Sequence, residues 1–136
     1  MQFRLPFNYD VDITSRYGMR GGRLHGGVDF GLPQGTPIVA SQAGIIISIA
    51  TDQYGGAYID IEHSRNWWTR YLHLSKFLVK RGQKVKTGDV IGLSGGRPST
   101  WGAGDSSGEH LHFEVHNPQR NKTLDPLKYI FFMDYT

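Results

Sequence analysis

Two imidazoles two residues apart, in Gly108-Glu109-His110-Leu111-His112-Phe113-Glu114-Val115, are the first place in this chain where chemistry is written into the residue types. Imidazole binds metal and moves protons near neutral pH. If the stretch is a strand, alternation puts His110, His112, Glu114 and His116 on one face. Leu111, Phe113 and Val115 fall on the other face and are suited to a core. Alone, the pair is better read as a His-rich edge strand with solvated rings.

A second cluster is Leu24-His25-Gly26-Gly27-Val28-Asp29-Phe30-Gly31. In a straight strand His25 and Asp29 would stand about 13 Å apart, too far to share one ion. A helix would make them neighbours, but two central glycines oppose a helix. A bend at Gly26-Gly27 entering a strand at Val28 would bring them together. The plainer alternative is a glycine turn with incidental polar flanks. Arg16, Arg20 and Arg23 crowd the approach to this motif and read equally as solvated charge. A third segment offers His73 at the end of a strand, where its side chain could reach over a cleft.

With no cysteine in the chain, a metal must be held by histidine and carboxylate. A catalytic zinc site takes three protein ligands and keeps one position open for a water whose pKa falls to about 7. Histidines beyond the ligand set could orient that water, shuttle protons or stabilise an oxyanion. Spacing does not say which of His110 and His112 would bind. The His-Glu-x-x-His pattern, with its adjacent glutamate base, is absent.

The elements that must position these groups read as short strands. The chain has 136 residues, 38% hydrophobic, with 18 glycines. Mean hydropathy is −0.40. That suits one all-β domain with a real core and tight turns. Residues 1–13 read as an irregular lead-in, with one short strand near Phe3–Phe7. Strands are predicted at Pro37–Ala40 and Gly44–Ile49 around a Ser41-Gln42-Ala43 turn. Ala57–His63 and Trp67–Leu74 form a hairpin across Ser64-Arg65-Asn66. On the second of these strands Thr69, Tyr71 and His73 share a face, and Trp68, Arg70, Leu72 and Leu74 share the other. His63, near the hairpin, is expected at the surface. Two glycine-centred turns flank short strands within Val79–Gly92, and Gly95–Gly108 is a long loop with Trp101 exposed. A helical turn is expected after Pro126, and residues 128–136 form a tail with an aromatic run from Tyr129 to Phe132.

Beyond their spacing, Thr14-Ser15-Arg16-Tyr17-Gly18-Met19-Arg20, His25-Gly-Gly-Val-Asp29, Tyr71-Leu72-His73-Leu74-Ser75, Gly82-Gln83-x-Val85-x-x-Gly88 and His110-Leu111-His112-Phe113-Glu114 resemble the lysostaphin/LytM-type zinc endopeptidases. The match runs in order from about residue 14 to residue 127. The resemblance implies a small domain of antiparallel β-sheets with a groove walled by loops. It implies one zinc held by His25, Asp29 and His112, with His73 and His110 as catalytic histidines that do not bind it. The implied activity is hydrolysis of peptide bonds in bacterial peptidoglycan, in stem peptides or cross-bridges, by a zinc-activated water. The loop Gly95–Gly108, with Arg97, Pro98 and Trp101, is longer than in familiar members and is similar to that of some phage tail-associated members.

Tyr54, Arg97 and Trp101 are candidate substrate contacts, and Trp67 and Trp68 further candidates for the groove wall. Glu114, on the face of His112, could orient a ligand. Two other readings compete. Degenerate members of the family bind peptidoglycan or regulate without cleaving it, but here the set of five residues is complete. Ile38-Val39-Ala40-Ser41-x-x-Gly44 followed by Gly82-Gln83-x-Val85-x-x-Gly88 resembles biotinyl/lipoyl carriers, but the Ser41-Gln42-Ala43 turn has no lysine to carry a cofactor. Fifteen Lys and Arg against twelve acids, net +3, do not argue for nucleic acid. No apolar run is long enough to span a membrane, and the start has no apolar signal-peptide core. The expected setting is extracellular, at the cell wall or on a virion, within a larger cell-wall or phage tail protein.

Overall fold

The computed structural model describes residues 1–119 and 123–131. Of the predicted tail, residues 128–131 are described, and Phe132 and the residues after it lie outside the described residues. Among the described residues twelve strands run in order: β1 (Ile13–Ser15), β2 (Gly18–Arg20), β3 (Arg23–His25), β4 (Val28–Phe30), β5 (Pro37–Val39), β6 (Gly44–Asp52), β7 (Gly56–Glu62), β8 (Trp68–Phe77), β9 (Lys84–Val85), β10 (Val90–Ser94), β11 (Leu111–His116) and β12 (Thr123–Leu124). A single 3-10 turn joins β7 to β8 at Ser64–Asn66, and a second follows Asp125 at Pro126–Lys128. The Asp125 carboxylate accepts from the Leu127 N–H and so caps that second turn.

The architecture is all-β, as the sequence pattern predicts, and antiparallel, as the family resemblance implies. The main sheet runs β1-β4-β11-β8-β7-β6-β9, with β10 bridging β8 to β5 and β12 beside β11; β2 and β3 make a separate hairpin. One face of the sheet is paved with alternate residues. Leu111, Phe113 and Val115 of β11 are fully buried, as are Ile59 and Ile61 of β7 and Tyr71 of β8. Burying a side chain of this size contributes about 1.5–3 kcal/mol. The predicted strands Pro37–Ala40 and Gly44–Ile49 both form, but they do not pair with each other. β5 pairs with β10, while β6 pairs with β7 and β9.

The lead-in is irregular as expected, yet it closes the core. Phe3 and Phe7 are buried, and Phe7 meets Phe30 edge-on at 4.9 Å between ring centroids. In place of the predicted strand at Phe3–Phe7 there is one bridge, in which the Phe3 N–H donates to the Tyr129 carbonyl at 2.8 Å. Phe3 also covers His63, which is buried rather than at the surface. The reason is its partners on other segments: the His63 ring reaches inward to the Ala43 carbonyl and the Thr69 hydroxyl.

The departure that moves a sequence-selected histidine is a bulge in β8. Ala57 pairs with Leu74 and Ile59 pairs with Tyr71, so Leu72 and His73 together stand against the single residue Tyr58. His73 takes a left-handed φ of 62°, a conformation that costs a non-glycine residue roughly 1–2 kcal/mol. The bulge resets the alternation. Leu74 joins Tyr71 in the core instead of sharing a face with Leu72. His73 lies inside a long strand, not at its end.

Candidate active site

Three of the sequence-selected side chains meet where β3, β4 and β11 come together. Asp29 and His112 are direct register partners across β4 and β11. His25 ends β3, and the Gly26-Gly27 bend swings it back over Asp29. The nearest His25 Nε2 and Asp29 Oδ2 atoms are 3.3 Å apart, and His112 Nδ1 lies 2.8 Å from Asp29 Oδ1. One potential ligand atom from each of His25, Asp29 and His112 falls within 4.8 Å of the other two. Gly27 is required here for space. A Cβ would stand 2.4 Å from the Phe113 carbonyl oxygen and 2.8 Å from His112 Nε2.

The other two histidines stand beside this group. The His73 and His110 rings are 4.6 Å apart between centroids, and His73 is 6.3 Å from the His112 ring. His110 Nε2 is 3.8 Å from Asp29 Oδ1. His110 lies just before β11, where its N–H donates to the Gly95 carbonyl.

Each ring has one nitrogen committed to an acceptor outside the cluster. Nδ1 of His25 donates to the Arg16 carbonyl at 2.8 Å, Nδ1 of His73 to the Ala103 carbonyl at 2.8 Å, and Nδ1 of His110 to the Gly108 carbonyl at 2.7 Å. His112 is turned the other way, with Nε2 on Glu114 Oε2 at 2.9 Å. A hydrogen bond of this kind selects the tautomer. It leaves Nε2 of the first three rings and Nδ1 of His112 as the nitrogens directed into the site.

Electrostatics follow from this packing. Burial pushes the Asp29 carboxyl up, but the His112 hydrogen bond and the imidazoles of His112, His110 and His25 outweigh it and hold the pKa below its usual value. Burial works against a charged His112, yet Asp29 and Glu114 hold its pKa up at about 9. Burial likewise opposes a charged Glu114, and the bonds from His112 and His116 hold that carboxyl down at about 2. His73 is shifted down by burial, only partly offset by its bond to the Ala103 carbonyl.

The five residues line one side of an open cleft. Tyr54, Gly55, Leu72, Asp105, Ser106 and Ser107 complete the lining. The long loop reaches the cleft because its backbone lies directly on the bulge. The Ala57 N–H donates to the Gly102 carbonyl at 3.0 Å, and a Cβ on Gly102 would stand 2.0 Å from the Leu74 carbonyl oxygen. Of the three candidate substrate contacts, Tyr54 is in the lining and 66% exposed. Arg97 lies outside it and pairs with Glu109 at 3.2 Å. Trp101 also lies outside it, with its ring against Phe77. Trp67 packs between Phe3 and Tyr129, and Trp68 stacks on His116, so neither walls the cleft. Sequence reasoning missed Ser106, whose hydroxyl touches Gly96, Gly108 and His110 and so ties the loop together. The only signal for it was its place in the loop four residues before His110.

Known proteins share this arrangement of chain. The profile described as Peptidase family M23 matches residues 23–126. The chain is 46% identical over 91 residues to the peptidoglycan DD-endopeptidase ShyA of Vibrio cholerae serotype O1, covering 67% of this chain and 20% of that protein. It is 36% identical over 119 residues to lysostaphin of Staphylococcus staphylolyticus, covering 83% of this chain and 23% of that protein. Among solved structures, a zinc-containing peptidase from Vibrio cholerae superposes with a TM-score of 0.81 at 38% identity, over 93% of this chain and 40% of that one. A point mutant of the catalytic domain of the prophage-encoded M23 protein EnpA from Enterococcus faecalis superposes with a TM-score of 0.79 at 31% identity, over 93% of this chain and 97% of that one. This chain thus spans about a fifth of the length of the curated relatives it matches first. The matched stretch contains all five clustered side chains on the same antiparallel frame, and the chain belongs to peptidase family M23.

Proposed function

We propose that the chain is the catalytic domain of a zinc-dependent endopeptidase that hydrolyses peptide bonds in bacterial peptidoglycan. The observation that carries this reading is the His25, Asp29 and His112 group, open to a cleft, with His73 and His110 directly beside it. The donor set fits zinc. It offers two imidazole nitrogens and one carboxylate, each imidazole anchored through its other nitrogen, and it faces an open side. Zinc bound there would supply Lewis-acid polarisation of the scissile carbonyl and a water acidified to near neutral pH.

The chain's own residues do the rest. His73 and His110 present Nε2 toward the cleft and serve as the pair that takes a proton from the attacking water and returns one to the leaving amine. The bond from Nδ1–H to the Ala103 carbonyl leaves Nε2 as the nitrogen able to accept, and burial shifts the His73 pKa down, in the direction that favours the neutral ring. A substrate contact by Tyr54 is supported by its exposed ring on the cleft wall. Glu114 orients His112 through the bond to Nε2.

Peptidoglycan as the substrate is supported by the names of the relatives, which include DD-endopeptidases and a glycyl-glycine endopeptidase. A setting at the cell wall or on a virion is in keeping with these names and with the prophage-encoded neighbour. The share of the relatives' length that is matched suits a domain within a larger protein.

The test is mass spectrometry of fragments released from a panel of purified peptidoglycans, with zinc content measured on the same preparation. Release of fragments ending at a D-Ala-linked or a glycyl bond supports the reading and names the bond. Binding to peptidoglycan without any released fragment would instead support a non-catalytic module.

A further inference from the structure

The polar face of β11 continues past the site. His112, Glu114 and His116 follow one another at a period of two, all on the side opposite Leu111, Phe113 and Val115. The Glu114 carboxylate accepts from both rings, through Oε2 from Nε2 of His112 at 2.9 Å and through Oε1 from Nε2 of His116 at 2.8 Å. We infer that His116, braced by Trp68, is a positioning residue that acts through Glu114 to aim Nδ1 of His112 at the metal site. The inference rests on the zinc reading given above.

A carboxylate held by a single hydrogen bond can still rotate about its own side-chain torsions. The second bond, from His116, fixes both oxygens and therefore the direction from which Oε2 meets His112. His116 can impose that direction only if its own ring is fixed, and it is. Trp68, its register partner on β8, stacks on it with 3.6 Å between centroids and 10° between planes. Trp68 is covered in turn by the Arg70 guanidinium at 5.1 Å, which also lies over Tyr58 at 4.6 Å.

Arg70 is the register partner of Glu114 and would be the obvious cation to take its carboxylate. It is committed elsewhere, with two bonds to Asp60 at 2.8 and 3.0 Å. Among the described residues, the side-chain bonds to Glu114 come from the two imidazoles. The side chains are shielded, with 12% exposure for His112, 16% for Glu114 and 17% for His116. Gly27 leaves the space over the bond, since a Cβ there would stand 3.0 Å from Glu114 Cγ. The consequence is a choice between two nitrogens. With Nε2–H held by Glu114, Nδ1 is the atom that faces Asp29 and the site.

The test compares wild type, His116→Phe, Trp68→Leu, Glu114→Gln and Asp29→Ala for zinc affinity, by competition with a chromogenic chelator. Folding is checked by circular dichroism. His116→Phe keeps an aromatic ring against Trp68 but removes the donor. Zinc affinity should fall roughly 10–100-fold, the usual effect of removing the partner of a metal-binding histidine. Glu114→Gln should lose at least as much, and Trp68→Leu, which keeps the donor but frees its ring, less. A second readout is the Nε2–H proton of His112 in the zinc-loaded protein, followed by nitrogen-edited NMR. It should exchange faster with water in His116→Phe than in wild type. If His116→Phe fails to fold, Trp68→Leu carries the same test. Wild-type affinity and exchange in the folded His116 or Trp68 variant, alongside loss of zinc in Asp29→Ala, would overturn the role of His116 and leave the zinc reading intact. Failure of the wild type itself to bind zinc would overturn both.

Discussion

His63 and His73 are both buried and both donate Nδ1–H to a backbone carbonyl, yet they belong to opposite kinds of region. His63 gives its second nitrogen to the Thr69 hydroxyl at 2.8 Å, and Thr69 passes the bond on to Tyr71 at 2.7 Å. Every polar group along that chain is satisfied inside the core. His73 finds a partner only for Nδ1 among the described residues, and its other nitrogen is left to the cleft. The difference teaches that burial does not distinguish a histidine spent on the core from one with a nitrogen open to a cleft. What distinguishes them is whether the second nitrogen is spent. A satisfied network rigidifies a core, whereas a ring anchored through one nitrogen is pre-oriented to use the other.

Removing a residue from each region should separate the two roles. The largest effect is expected for Asp29→Ala, which takes the carboxylate shared by His25 and His112. Zinc measured by elemental analysis should drop to background, and release of peptidoglycan fragments should stop. His73→Ala and His110→Ala should keep stoichiometric zinc while turnover falls about 10²–10⁴-fold, the range for losing a general acid or base. Full cleavage by either would remove it from the mechanism.

His63→Ala is expected to do the reverse. It strands Thr69 and the Ala43 carbonyl and should cost about 1–3 kcal/mol in urea unfolding, with activity per folded molecule unchanged. A loss of turnover without a loss of stability would erase the contrast between the regions. The pH dependence sharpens it further. Burial lowers the His63 pKa in the folded protein. The unfolded chain therefore binds the proton more readily, and stability should fall as pH drops through the ordinary histidine value near 6.5. That part of the slope should vanish in His63→Gln, which can be checked by unfolding between pH 5 and 8. The smallest effects are expected on the cleft wall. Tyr54→Ala should raise KM for soluble peptidoglycan fragments, and Trp101→Ala, whose ring rests on Phe77 outside the cleft lining, should raise it less.

Much of the frame was legible from one sequence because alternation is a local rule. Leu111, Phe113 and Val115 point inward as their spacing predicts, and the hairpin at Ser64–Asn66 closes where its polar residues stand. The Gly26-Gly27 bend was legible too, since a straight strand would hold His25 and Asp29 apart and the two glycines oppose a helix. Where the local rule fails, the cause lies in another part of the chain. The bulge at His73 exists because β7 and β8 pair out of step there, and alternation read along β8 alone puts Leu74 on the wrong face. His63 was expected outside because its partners are contributed by other segments, Ala43 by the bend before β6 and Thr69 by β8. Arg97 and Trp101 were chosen as candidates for their chemistry, but a loop sequence carries no period that says which side chains face a cleft.

By itself, the sequence determined the class of chemistry. Six histidines, no cysteine and a carboxylate four residues from His25 restrict any metal site to nitrogen and oxygen ligands. Strand periodicity determined an all-β frame and put His112 and Glu114 on one face. Only the tertiary structure decided which atoms meet. It paired Asp29 with His112 across two strands, set His73 on a bulge, and gave each ring an acceptor that selects one nitrogen. The physical reason is that periodicity fixes the face on which a side chain stands, whereas the direction of a ring nitrogen depends on a hydrogen-bond partner, here as near as Gly108 or as distant along the chain as Ala103.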